Sequence, residues 1–162
     1  MTKSVYIKVN SLRAKIVVGG WWWRIMRLVS PRTGAFTVLR TIYLKRSIQQ
    51  TLADFPGNKR ALKAAYGYLV AHEWGHVRQW EKTPYTFLPT YIGQVVAGTW
   101  RSIWGNAKMH NGLRKYVEVL TELASLGFHM RDGYHNAPLE MEAKLYAKRY
   151  AKAWTERLDR IP

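Results

Sequence analysis

Residues 59–81 read KRALKAAYGYLVAHEWGHVRQWE, and within this run His72-Glu73-Trp74-Gly75-His76 spells H-E-x-x-H. Leu62, Ala65, Leu69, His72, His76 and Trp80 recur at steps of three and four residues, the period of one helix face. No proline interrupts the run, Asn58 stands where a cap belongs, and Thr83-Pro84 ends it. The predicted helix therefore spans about Lys59 to Glu81. Two histidines four apart on a helix point the same way, so both imidazoles can reach one ion. Glu73 lies about 100° around the axis from His72, close enough to act on water at the ion's open position. A zinc ion held there would make water acidic enough for a carboxylate to take its proton. The competing reading of the same residues is a pair of core histidines beside an exposed glutamate.

A zinc site of this kind needs a third protein ligand. Downstream of the motif the available groups are His110, Glu118, Glu122, His129, His135, Glu140 and Glu142. Glu140 falls on one stripe with Ala143, Ala147 and Trp154, the apolar face of a predicted last helix that starts at Pro138 and runs to about Leu158. Glu142 shares its face with Tyr146, Arg149 and Glu156, a more solvated set. Glu118 and Glu122 align with Ser125 and His129. A carboxylate inside an apolar stripe is costly unless it is paired or bound to a cation, which puts Glu140 first and Glu142 second.

The rest of the chain reads as α+β: short N-terminal strands followed by a mostly helical, metal-binding remainder. Residues 4–9, 14–18 and 36–44 have strand character, with Gly19-Gly20 as a break and turns at 31–34 and 55–58. Further helices are predicted at about Ile92–Trp104 and Leu113–Gly127, with loops at 105–112 and 133–138. The 162 residues suffice for one core without staples. There is no cysteine, which excludes a disulfide framework and a thiolate-held metal.

Two longer strings carry a resemblance. HEWGHVRQW (72–80), with an aromatic-rich stretch after it, and YHNAPLEMEA (134–143) together resemble small gluzincin-like metallopeptidases of bacteria and their phages. These are short H-E-x-x-H-V-x-Q proteins whose third ligand comes from a P-x-E-x-E-A segment. FTVLRTIYL (36–44) is similar to the strand that precedes the metal helix in that group. The likeness covers roughly residues 36–150. It implies a zincin-like domain over 36–162, with 1–35 as a basic N-terminal segment that either joins the same unit or extends from it. It implies zinc on His72, His76 and Glu140, with Glu73 as catalytic base. It also implies that strand 36–44 offers its edge to an extended peptide. Tyr134 and His135, which precede the ligand helix, are candidates for an oxyanion donor, with a structural role as the favoured reading of each. Lys144 departs from the pattern, because an aspartate is frequent there and would support the site.

Charge suggests a second kind of partner. The chain has 26 Lys and Arg against 10 Asp and Glu, a formal charge of +16. Residues 1–60 hold 12 of those cations and one acid, Asp54. Two readings stand side by side: an anionic partner, which would be nucleic acid, a membrane surface or a cell-wall polymer, and a solvated basic surface with no specific partner. The expected activity is hydrolysis of an amide in a protein, peptide or cell-wall substrate. The alternative is a zincin-fold binding protein, such as a component of a virion assembly. No signal peptide is legible and no run is long enough to span a bilayer, so the expected location is cytoplasmic or virion-associated. Trp21 to Trp23 read as core or rim packing ahead of a membrane-interface cluster, and Thr83–Trp100 as a buried or interfacial segment.

Overall fold

The computed structural model describes residues 2–21, 34–55, 57–107, 117 and 126–161. The predicted helix 113–127 and the turn at 31–34 lie largely outside these residues, as do Trp22, Trp23, His110, Glu118 and Glu122. Four strands form one sheet: β1 (Lys3–Val9), β2 (Leu12–Val18), β3 (Ala35–Val38) and β4 (Thr41–Leu44), in the order β1-β2-β4-β3. The helices are α1 (Ile48–Asp54), α2 (Lys59–Lys82), α3 (Phe87–Ala107), α4 (Leu126–His135) and α5 (Pro138–Thr155), followed by a 3-10 turn at Leu158–Arg160. The chain is α+β, with more helix than strand. It divides into two compact units, Met1–Pro84 with Ala143–Pro162, and Tyr85–Glu142.

In the first unit, alternation along the strands sends Ile7, Ala14, Ile16, Val18, Ile42 and Leu44 to one face of the sheet. Val70, Ala71, Trp74 and Val77 of α2 meet them, with Ala147, Trp154, Leu158 and Ile161 from the C-terminal end. Between Val70 and Val77 every residue of α2 is buried, which a single apolar stripe does not predict. The cause is burial on several sides: the helix packs under β3 and β4, and α5 lies along it. Trp74 packs on Trp154 with ring centroids 4.9 Å apart. Gly75 meets Ala143, where an added Cβ would stand 3.0 Å from the Ala143 Cα. Gly67 meets Thr155, where an added Cβ would stand 2.9 Å from the Thr155 Cα and amide nitrogen. Contacts that rise along α2 and fall along α5 make the pair antiparallel.

Several elements differ from their sequence reading. The strand expected over 36–44 is a hairpin: β3 and β4 pair antiparallel with Val38 opposite Thr41, and Leu39 turns with φ 55°. No Gly or Asn marks that turn, so nothing local announces it. Helix α1 has no counterpart among the predicted elements. Ser47 starts it with a capping box, accepting from the Gln50 amide at 3.1 Å while Gln50 Oε1 accepts from the Ser47 amide at 3.0 Å. Asn58 caps α2 as expected, accepting from the Ala61 amide. Trp21, read as core or rim packing, is 61% exposed.

In the second unit, α3 begins five residues before its predicted start, because Pro89 is harmless in a first turn. Helix α4 runs on to His135, through a glycine that was read as loop. The helix has glycine at 133 because α3 passes so closely that an added Cβ would meet the Val95 carbonyl and the Thr99 amide. The outward side of α3 carries Leu88, Ile92, Val96 and Trp100, all exposed. Among the described residues, no helix is long and apolar enough to cross a membrane.

The two kinds of helical glycine behave oppositely on substitution. Gly67→Ala gains about 1 kcal/mol of helix propensity but forces α5 back, an overpacking that costs about 1–3 kcal/mol. Urea unfolding should show a net loss of stability. Gly93→Ala, where a Cβ meets nothing within 4 Å, should show a gain of roughly 0.5–1 kcal/mol.

Candidate metal centre

Helix α2 places His72 and His76 one turn apart, and both are buried, at 9% and 7% exposure. Their rings meet edge to face, and the two Nε2 atoms stand 3.3 Å apart. Gln79 lies one further turn along the same face, 3% exposed. Its Oε1 is 2.9 Å from His76 Nδ1. An amide oxygen can only accept, so His76 carries its proton on Nδ1 and turns a lone pair outward from Nε2.

Glu73 is 5% exposed, which removes the reading in which it is a solvated acid beside two core histidines. Its carboxylate accepts from the Thr37 hydroxyl, 2.7 Å from Oε2. The same hydroxyl is 3.1 Å from the Glu73 carbonyl oxygen, and its one proton is shared between the two acceptors. Thr37 lies on β3, at the edge of the sheet as described, so the glutamate is anchored to the strand that ends the sheet.

Glu140 stands in the first turn of α5, after Pro138, which suits an N-terminal turn. The Leu139 amide, one of the donors that a helix start leaves unpaired, donates to Gln94 Oε1 at 3.0 Å. Glu140 is 2% exposed and lies on the face that continues through Ala143, Ala147 and Trp154, each 1% exposed or less. Helix α5 is one continuous element. From Ala143 onward it belongs to the unit that holds the two histidines, and Glu140 precedes Ala143 by three residues. His72, His76 and Glu140 make a buried group that could hold a metal ion: each offers one ligand atom, and all these atoms lie within 4.8 Å of one another.

Tyr91 of α3 donates to Glu140 Oε2 at 3.4 Å. Burial first, and then the neighbouring Tyr134 and Glu140, push the Tyr91 hydroxyl well above the usual phenol range. It therefore stays protonated and keeps its role as donor. Tyr134 meets the Tyr91 ring edge-on at 6.1 Å and is 37% exposed; His135 is exposed and lies against Tyr134. Glu142 is exposed, and Lys144 is half-buried. Sequence reasoning gave no part to Gln79, Thr37 or Tyr91. Gln79 was findable, because it sits three residues after a ligand-type histidine on the same helix face. Thr37 and Tyr91 carry no local signal, since each reaches the site from a distant part of the chain.

We found no match for the chain among protein-family models, curated protein sequences or solved structures. The residues themselves thus carry the assignment. Glu140→Gln should weaken metal affinity by at least tenfold in a chelator competition assay. Glu142→Gln, at an exposed position one helix face away, should leave it unchanged. Equal losses in both variants would show that the third ligand is wrongly chosen.

Proposed function

We propose that the chain is a zinc-dependent metallopeptidase with a zincin-like fold, in which His72, His76 and Glu140 hold the ion and Glu73 is the general base. The observation that carries this reading is the 3.3 Å separation of the two Nε2 atoms. Nitrogens about 2.0–2.1 Å from a tetrahedral ion stand about 3.3–3.4 Å apart, so the imidazole pair fits zinc. The donor set, two imidazoles and one carboxylate, leaves a fourth position open, as hydrolytic zinc sites require. The wider pairing of HEWGHVRQW with a later P-L-E-M-E-A supports the same reading.

When bound, the ion supplies Lewis acidity, the chemistry that polarises an amide carbonyl and makes water a usable nucleophile near neutral pH. The protein's own groups do the rest. Gln79 keeps the His76 proton on Nδ1, so that Nε2 is a ligand and not a donor. Tyr91 holds Glu140 by donating to one carboxylate oxygen, the support that an aspartate at position 144 would otherwise give. Thr37 donates a hydrogen bond to the Glu73 carboxylate and helps to hold it in place. Glu73 takes a proton from the attacking water at a carboxylate oxygen and delivers it to the departing amine. Strand β3 is an edge strand among the described residues, so an extended peptide can add to it and lie next to the base that Thr37 anchors. The substrate class is an amide in a protein, a peptide or a cell-wall cross-link.

A buried Glu73 separates this reading from that of a zincin fold kept only for binding. A structural site has no use for a desolvated carboxylate beside its ligands, and burying one without a task is costly. Glu73→Gln keeps the size and removes the basicity. Zinc content and thermal stability should be preserved, while zinc-dependent cleavage across a panel of peptides and cell-wall fragments should fall by about 100-fold or more. Unchanged cleavage in the variant would contradict the assigned base. A panel that shows no zinc-dependent cleavage by the parent protein would contradict the peptidase.

A further inference from the structure

The sheet has a second face, which the metal site does not use. Its residues follow from the register. Lys8 pairs with Arg13, and Tyr6 pairs with Lys15, which pairs in turn with Thr41 and so with Val38. Ser4 pairs with Val17, which pairs with Tyr43 and so with Phe36. These residues alternate with the core-facing set, so their side chains lie on the side away from α2.

Three properties of this face stand together. Tyr6 is 58% exposed on a regular strand, with the Arg13 guanidinium 4.5 Å from its ring centroid and the Lys15 ammonium 5.8 Å away. A second aromatic element, Phe36 stacked on Tyr43 at 4.8 Å, lies two strands across, roughly 12 Å from Tyr6 by strand geometry. No acidic residue occurs before Asp54, so none of the four strands carries a negative charge. The ion pairs among the described residues, Arg40 with Glu81 and Arg46 with Asp54, involve neither Lys8, Arg13 nor Lys15.

We propose that this outer sheet face, centred on Tyr6, Lys8, Arg13 and Lys15, binds single-stranded nucleic acid. The cations meet phosphates, whose charge supplies most of the affinity. The Tyr6 ring stacks on an unpaired base, a contact that tolerates any sequence because every base has a π-face. Arg13 already lies over that ring and extends the stack on its other side. Charge alone would serve a duplex or an anionic membrane equally well. The exposed ring at the centre of the basic patch distinguishes the single strand, since base faces are hidden inside a duplex. This surface lies on the opposite side of the sheet from Thr37 and Glu73, so the inference does not depend on the peptidase reading.

The test is fluorescence anisotropy of the full chain with a labelled oligo(dT) of about 12 nucleotides, within the usual range for one such platform. Blunt duplex of the same length and phosphatidylserine vesicles serve as competitors. The single strand should bind saturably and win over both competitors at equal salt. Tyr6→Leu should weaken it about tenfold without changing the salt dependence, and Tyr6→Phe should bind as the parent does. Arg13→Gln and Lys8→Gln should each flatten the slope of log affinity against log salt by about 0.7. Three results would overturn the proposal: Tyr6→Leu binding as tightly as the parent, duplex or vesicles competing equally, or no oligonucleotide binding at low salt. All these side chains are at least partly exposed, and circular dichroism of each variant checks that the fold is kept.

Discussion

Two imidazole nitrogens 3.3 Å apart inside a protein constrain everything around them. In a neutral imidazole this nitrogen either carries the ring proton or presents a lone pair, and two lone pairs cannot face each other at that distance without a proton or a cation between them. With the His76 proton held on Nδ1 by Gln79, the only remaining proton source within the pair is His72. A buried glutamate on α5 supplies the negative charge that a cation would need. The arrangement is that of a buried group that could hold a metal ion.

Holding such a centre requires α5 to lie very close to α2, and small residues make that possible. Gly67 faces Thr155 with no room for a side chain, and Gly75 faces Ala143 with room for one only if Ala143 gives way. Trp74 of α2 and Trp154 of α5 pack on each other, both buried. The same helix that buries Trp74 toward α5 presents Glu73 to Thr37 on β3. The sheet, α2 and the part of α5 from Ala143 onward thus share one core. Among the described residues, all three groups of the candidate metal centre lie on helices.

Much of this was readable from the chain, because it is local. The α2 helix, its Asn58 cap and the shared face of His72 and His76 follow from spacing alone. Glu140 stood out because a carboxylate in line with Ala143, Ala147 and Trp154 breaks an apolar stripe, and the structure buries it there. Other parts were hidden for physical reasons. The Leu39-Arg40 turn lacks the usual turn residues and depends on pairing with β2 for its geometry. The Ser47–Gln50 box was legible but sits in a helix of seven residues, too short to show a period. Gly133 reads as a breaker until α3 is known to pass against it. Thr37 and Tyr91 reach their partners across 36 and 49 residues, a distance over which no sequence period speaks.

The proposed zinc site of His72, His76 and Glu140 is open to elemental analysis of protein purified under zinc-replete conditions, before and after His72→Ala. About one zinc per chain is expected in the parent and none held stoichiometrically in the variant. A parent chain without stoichiometric zinc, or a variant that retains it, would rule the site out.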